Sequence, residues 1–317
     1  MLDNLNYQII KALSDNGRYS YSKLAKDLNV KVSTVSNRVA KMLKDDLISI
    51  QAVPNPYKIG YNFQIVFALN VNLKQIDDVC NKLIESPYIS SIAVMFGRFN
   101  VLIFAEYPDI NMLYKLVREE LPNIDGVYKI DTFFIMDRKK SYEKFFKPGS
   151  LIDKPVRLDS IDEQLIADLR KNGRANLTKL AGKYGISAAS TTRRVAKLIN
   201  EEIIKITVVP NHTKLLGFTA VAYVLIETEP KKVIDVCEHL SAFPEVHSIM
   251  TLMTSYNVLA ILVMEDHAAL YNFITREISL FNGVTKVETL IRAELKKRTY
   301  VFVNEHQLLN GINTERD

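Results

Sequence analysis

The chain has 317 residues, 48% hydrophobic and 24% charged, with 11 Gly, 10 Pro, 2 Cys and no Trp. That composition is ordinary for a globular protein and excludes collagen-like, disulfide-scaffold and wholly disordered classes. A net charge of +5 leaves a polyanionic partner open, and no apolar run approaches the roughly 20 residues that cross a bilayer, so no membrane partner is expected.

Within the first fifty residues the apolar spacing is helical. Leu5, Ile9, Ile10 and Leu13 stand at i, i+4, i+5 and i+8; a second short helix is predicted over 22–28 and a third over 32–44, with strand signals over 48–53. The third helix can turn Val32, Val35, Val39 and Leu43 to a core, which leaves Ser33, Thr34, Ser36, Asn37, Arg38 and Lys41 on its outer face. The pattern then changes. Phe63, Ile65, Phe67, Leu69 and Val71 alternate as a strand with one buried face, and Ile76, Val79, Cys80, Leu83 and Ile84 form an amphipathic helical stripe. Strands over 89–96 and 100–106, a helix carrying Ile110, Leu113, Val117 and Leu121, and a strand over 127–136 follow. The order is βαββαβ, an antiparallel sheet with both helices on one face. A partner sheet is the natural cover for the other face.

The same pattern then repeats. At an offset of 156, Asn16-Gly17-Arg18 recurs as Asn172-Gly173-Arg174, Lys23-Leu24-Ala25 as Lys179-Leu180-Ala181, and Arg38-Val39-Ala40-Lys41 as Arg194-Val195-Ala196-Lys197. One inserted residue near His212 moves the offset to 157, after which Val79-Cys80 matches Val236-Cys237 and Asn100-Val101-Leu102 matches Asn257-Val258-Leu259. Five segments are predicted: a helical domain over 1–54, a sheet domain over 55–146, a linker over 147–157, and a second pair of domains over 158–210 and 211–304. The two sheet domains are expected to pair face to face within the chain.

Two short helices joined by a tight turn, the second bearing small polar and basic residues, suggest a helix-turn-helix that binds double-stranded DNA. Asn29 and Gly185 occupy the turn, and both adopt the left-handed conformation cheaply. In the second copy the outer face offers Ala189, Ser190, Thr192, Arg193, Arg194 and Lys197. Arg and Asn read base edges bidentately, while Ser, Thr and Lys mostly hold phosphates. The basic excess is concentrated here: residues 2–50 carry 8 basic and 5 acidic side chains, and residues 157–206 carry 10 and 6.

Each copy resembles a full-length member of the leucine-responsive regulatory protein and AsnC family, the feast/famine regulators. The resemblance rests on Leu5 through Ile10, Asn16-Gly17-Arg18, Leu24-Ala25, Arg38-Val39, Leu47-Ile48, Asn55-Pro56 with Gly60, Phe96-Gly97-Arg98-Phe99-Asn100, and Leu121-Pro122 ahead of Gly126-Val127. It implies an α+β chain with two copies of an N-terminal winged helix-turn-helix followed by a ferredoxin-like βαββαβ effector-binding domain. It further implies a transcription regulator, a small-molecule effector such as an amino acid or related metabolite, and a homo-oligomer; the expected cytoplasmic location rests instead on the lack of a signal-peptide pattern at Met1-Leu2-Asp3-Asn4-Leu5 and on only two cysteines. The loops implied to bind the effector are Gly97, Arg98, Phe99 and Asn100 in one copy and Thr254, Ser255, Tyr256 and Asn257 in the other. Where relatives carry acidic groups in these loops, this chain does not, and Arg98 suits an acid instead. The glycine that usually precedes the wing is Asp46 here and Glu202 in the second copy. Lys31 replaces the serine that caps the third helix, with Ser33 as the expected substitute, whereas Ser187 keeps that cap in the second copy.

Two further classes share this resemblance. Siroheme decarboxylases keep both domains, and some carry an aromatic-Asn-apolar step like Phe99-Asn100-Val101; the His- and Arg-rich stretch they usually show is not supplied by Gly60-Tyr61-Asn62-Phe63-Gln64 or Gly217-Phe218-Thr219. A metabolite sensor that has lost DNA binding is the other. Cys80 and Cys237 are expected in the core, and the histidines at 212, 239, 247, 267 and 306 lack helical ligand-pair spacing. No metal, cofactor or enzymatic activity is expected, since no phosphate loop, nucleophile elbow or HExxH sequence occurs.

Overall fold

The computed structural model describes residues 3–55, 58–60, 63–86, 88–140, 156–211, 214–215 and 217–298. Among these, one unit holds the helical segments of both copies, 3–60 and 156–217, and another the strand-rich segments, 63–140 and 218–298. Most of the expected linker and the stretch 299–304 lie outside the described residues, as do His212 and His306.

The helical unit is built twice over. Helices α1 (Asn4–Asp15), α2 (Tyr21–Asp27) and α3 (Val32–Lys44) lead into β1 (Ile48–Pro54). In the second copy α6 (Ser160–Lys171), α7 (Leu177–Tyr184) and α8 (Ala188–Asn200) lead into β6 (Ile204–Pro210). Asp3 and Asp159 cap the first helices, and Ser20 and Asn176 the second ones, by accepting from backbone N–H groups of the first turn. The turns close as expected, with Asn29 at φ 53° and Gly185 at φ 65°. Ile9, Ile10, Leu13, Leu24, Val35 and Val39 share one apolar core with Leu165, Leu169, Val195 and Leu198 of the other copy. Neither head is self-sufficient: β1 and β6 pair antiparallel, Ile48 opposite Pro210 through Pro54 opposite Ile204.

Two expectations are corrected in α3. Val32 and Leu43 are exposed, and Met42 takes the buried place beside Val35 and Val39. At 3.6 residues per turn, position 42 continues the stripe of 35 and 39, and 43 lies a further 100° round. Nor does Ser33 cap the helix, because Lys31 is already its N-cap, without a side-chain hydrogen bond, while Ser187 Oγ accepts from the Ser190 N–H at 3.1 Å.

The strand-rich unit is a closed eight-stranded antiparallel barrel. The first copy contributes β2 (Phe63–Val71), β3 (Ile89–Phe96), β4 (Val101–Tyr107) and β5 (Val127–Lys140); the second contributes β7 (Ala220–Thr228), β8 (Val246–Leu252), β9 (Val258–Met264) and β10 (Val284–Arg298). Closure comes from two seams between copies, β5 on β8 and β10 on β3. The two sheets therefore cover one another, and β2 is buried on both faces: Ile65, Phe67 and Leu69 meet α4 (Ile76–Ile84), while Val66 and Ala68 face the barrel interior with Tyr223, Leu225 and Met250. Cys80 and Cys237 sit in the cores beneath equivalent helices, where burial pushes each thiol up to about 11. The second helix of each strand-rich domain, α5 (Ile110–Lys115) in the first copy and His267–Phe273 in the second, winds on into a π-turn.

Each seam is fastened by a lysine. Lys140 Nζ donates to the carbonyls of Ser241 and Phe243 at 3.0 and 2.6 Å, and Lys297 Nζ to those of Ile84 and Ser86 at 2.6 and 2.7 Å. Each places its charge at the C-terminal end of a helix of the other copy, where helix carbonyls accumulate negative potential.

Candidate nucleic-acid interface and effector loops

The outer faces of α3 and α8 resolve into three kinds of side chain. Arg38 binds Asp3 and also donates to Asn6 Oδ1 at 3.1 Å. Arg194 does the same in the second copy, to Asp159 at 2.7 Å and Asp162 at 2.8 Å. Both arginines tie the third helix to the first of the same head, so the guanidinium charge is engaged within the protein. Among the hydroxyls, Thr192 Oγ1 donates back to the Ala188 carbonyl at 2.9 Å, a contact internal to α8. Ser33, Asn37 and Lys41 are exposed on α3, with Thr34 and Ser36 half-buried; on α8 Arg193 and Lys197 are exposed and Ser190 is half-buried. Among the described residues, Asn37 and Arg193 have no hydrogen-bond or ion-pair partner.

What holds the two heads together is the repeated Asn-Gly-Arg. The Gly17 N–H donates to the Ile206 carbonyl and the Gly173 N–H to the Ile50 carbonyl, both at 2.7 Å. A Cβ on Gly17 would lie 3.1 Å from the Ile206 backbone, and one on Gly173 3.1 Å from that of Gln51, so the approach requires glycine. Arg18 and Arg174 reach across in both directions. Farther out, the Asn55 N–H donates to the Ile203 carbonyl and the Asn211 N–H to the Leu47 carbonyl, each at 2.8 Å.

In the effector domains the expected loop residues divide in the same way. Asn100 and Asn257 are braces: Asn100 Oδ1 accepts from the Val71 N–H at 2.8 Å and its Nδ2 donates to the Val71 carbonyl at 2.6 Å, while Asn257 makes the matching pair with Thr228 at 3.0 and 2.8 Å. Their amides are spent on ending a neighbouring strand. Phe99 and Tyr256 are buried in the barrel interior. Gly97, at φ 141°, passes so near β10 that a Cβ would lie 2.7 Å from Leu290 Cδ2. Arg98 does meet acids, but they are the protein's own, Glu288 at 3.5 Å and Asp131 at 3.6 Å. Glu288 also accepts from the Tyr256 hydroxyl at 2.5 Å. In the second copy Ser255 stands where Arg98 does, and the Thr254 hydroxyl donates to the Tyr256 carbonyl at 2.9 Å. Beside Gly97 an open cleft of about 520 Å³ is lined by residues including Asn70, Asn72, Phe96, Asn100 and Tyr128. The sequence pointed to Gly97 and Asn100 but not to Asn70 of β2 or Tyr128 of β5, which come from strands distant from the loop in sequence.

Among the described residues no group of three or more His, Cys, Asp or Glu is placed to hold a metal ion, and no helix is long and apolar enough to cross a membrane.

The Lrp/AsnC ligand binding domain family matches residues 64–145 and 221–302, and the AsnC-type helix-turn-helix domain family matches 2–43 and 158–199. An uncharacterized HTH-type transcriptional regulator of Pyrococcus furiosus is 32% identical over 148 residues, 46% of this chain and 100% of the relative. The HTH-type transcriptional regulator Ptr1 of Methanocaldococcus jannaschii is 27% identical over 130 residues, 40% of this chain and 88% of its own. Among solved structures, the siroheme decarboxylase NirDL superposes with a TM-score of 0.63 at 16% identity, covering 99% of this chain and 100% of its own; it has also been solved in complex with an iron-uroporphyrin III analogue. This overturns the expectation that enzymatic activity is excluded. A missing motif rules out only chemistries that have one, and an enzyme is built on this same fold along its full length. With both domains matched in both copies, the chain belongs to the Lrp/AsnC family, its two domains present in tandem duplicate.

Proposed function

We propose that the chain is a DNA-binding transcription regulator that grips duplex DNA with both helix-turn-helix heads and is tuned by a small molecule at its effector domains. The observation that carries this reading is the pair of heads joined through β1 and β6, each leaving a polar and basic outer face on its third helix while its conserved-in-both-copies arginine is used internally. Such a face suits phosphate and base-edge contacts, with Lys41 and Lys197 supplying charge to phosphates. Small hydroxyl residues around them permit close approach to the groove.

The effector reading is narrower than in a symmetric dimer. Arg98 is neutralised by Glu288 and Asp131, and the two loops differ at Gly97 against Thr254 and Arg98 against Ser255, so we assign the effector to the cleft beside Gly97 in the first copy and expect one site per chain. Titration of the full chain with duplex DNA at low salt, repeated with amino acids, keto acids and an iron tetrapyrrole, tests both parts. Duplex binding modulated by one ligand per chain supports the reading. Turnover of the tetrapyrrole without duplex binding overturns it.

A further inference from the structure

The two recognition faces are not copies of one another in the residue that is free to read sequence. At the 156-residue offset, Thr34 corresponds to Ser190, Ser36 to Thr192, Arg38 to Arg194 and Lys41 to Lys197, all near-equivalents. Ser33 corresponds to Ala189, which lacks a group to read a base, and at position 37 one base-reading side chain replaces another: Asn37 in α3 corresponds to Arg193 in α8. Both are exposed, both lie in the first half of a 13-residue helix, and each sits next to an arginine already bound to Asp residues of its own head. The neighbouring arginines thus cannot blur the difference. In β1 and β6 the register places the two heads about a single pseudo-dyad, so a difference at this position is presented at equivalent places on the two half-sites.

Asn accepts from the adenine N6 amino group and donates to adenine N7, whereas Arg donates twice to guanine O6 and N7. We propose that the chain reads a directional DNA element, in which the half-site under α3 carries adenine where the half-site under α8 carries guanine, with Asn37 and Arg193 as the determinants. This rests on the DNA-binding reading above. One chain bound to such an element has a defined orientation, which a symmetric pair of identical heads does not give.

The test is selection from a random duplex library by the full chain, and by Asn37→Arg and Arg193→Asn variants that exchange the two side chains in place. The wild-type chain should enrich unlike half-sites. Asn37→Arg should convert the adenine to guanine in one half-site only, and Arg193→Asn should do the reverse in the other, each change shifting preference by about 5- to 150-fold, the equivalent of about 1–3 kcal/mol for a bidentate pair. A perfect palindrome from the wild-type chain, or variants that alter both half-sites alike or neither, overturns the directional reading while DNA binding itself stands. Enrichment of nothing by any of the three proteins overturns the DNA-binding reading and this inference with it. Circular dichroism of both variants separates these outcomes from misfolding, and both substitutions lie on exposed helical positions that tolerate either residue.

Discussion

Arg18 and Arg174 each cross the pseudo-dyad to hold the other's helical head by its backbone. Arg18 donates to the carbonyls of Gly173 and Ala175 at 2.9 and 3.3 Å, and Arg174 to those of Gly17 and Tyr19 at 2.9 and 3.0 Å. Burial, and after it the charge of Arg174, hold the Arg18 guanidinium below its usual value, a cost the reciprocal carbonyls offset. Hydrogen bonds to a charged donor are worth about 1.5–3 kcal/mol each, partly exposed ones less. Arg18→Ala with Arg174→Ala should therefore lower the stability of the helical unit by about 2–4 kcal/mol. Chemical denaturation followed by a fluorophore in that unit measures it, and an unchanged midpoint counts against the crossing contacts.

The braces at Asn100 and Asn257 predict a loss in the barrel. Asn100→Ala leaves the N–H and C=O of Val71 without their partner, and Asn257→Ala does so for Thr228. Each should cost about 1–3 kcal/mol. Hydrogen exchange at the ends of β2 and β7 should rise in the respective variant only. Retained stability with lost effector binding would reassign the asparagines from bracing to ligand contact.

Asp46 and Glu202 occupy the left-handed region at φ 53° and 55°, where the chain turns from the third helix into the strand. Glu202 has little to hold it there beyond Lys58 at 3.9 Å, both side chains being exposed. Glu202→Gly should raise stability by about 0.5–1 kcal/mol, the relief of a left-handed side chain less the added freedom of the unfolded glycine. Asp46→Gly should gain less, because Asp46 also accepts from Asn211 and Lys214, each at 3.1 Å. Thermal melts of the two variants rank them.

Acid should loosen the heads by a traceable route. The Asp162 N–H, and then Arg194, hold the Asp159 carboxyl below the usual carboxylate range. Its folded pKa is thus depressed, so its contribution is full above the unfolded value of about 4 and is lost as pH falls through the lower folded one. Asp159→Asn keeps a capping side chain but cannot titrate, and should flatten the acid limb of stability against pH. An acid limb identical in the variant refutes the assignment.

Local elements were legible because their signals are local: helix 32–44 and strand 89–96 come out at their predicted ends, and the left-handed turns sit at Asn29 and Gly185. The C-terminal end of β5 was not. Asp137-Arg138-Lys139-Lys140 reads as a polar tail, yet β5 runs through it because the edge of β8 supplies Met250 and Ile249 as pairing partners, which no pattern within one copy encodes. Arg38 was placed in a site by its residue type and its position on the helix face, and Asn100 by the family resemblance. Their partners lie elsewhere in the chain, at Asp3 and Val71. A signal was present for Arg38: Asp3 and Arg38 recur together as Asp159 and Arg194, a pair kept in both copies while the neighbouring position changed from Asn to Arg.

On the proposed function, the two heads engage DNA together through Lys41 and Lys197. Equilibrium binding of the full chain to a selected duplex should be measured across salt concentrations for the wild type and for Lys41→Ala, Lys197→Ala and the double variant. Each lysine should lower the slope of log affinity against log salt by about 1, and the double variant by about 2, with sequence preference unchanged. A slope that neither lysine alters, or that only one does, would contradict the claim that both heads grip the duplex.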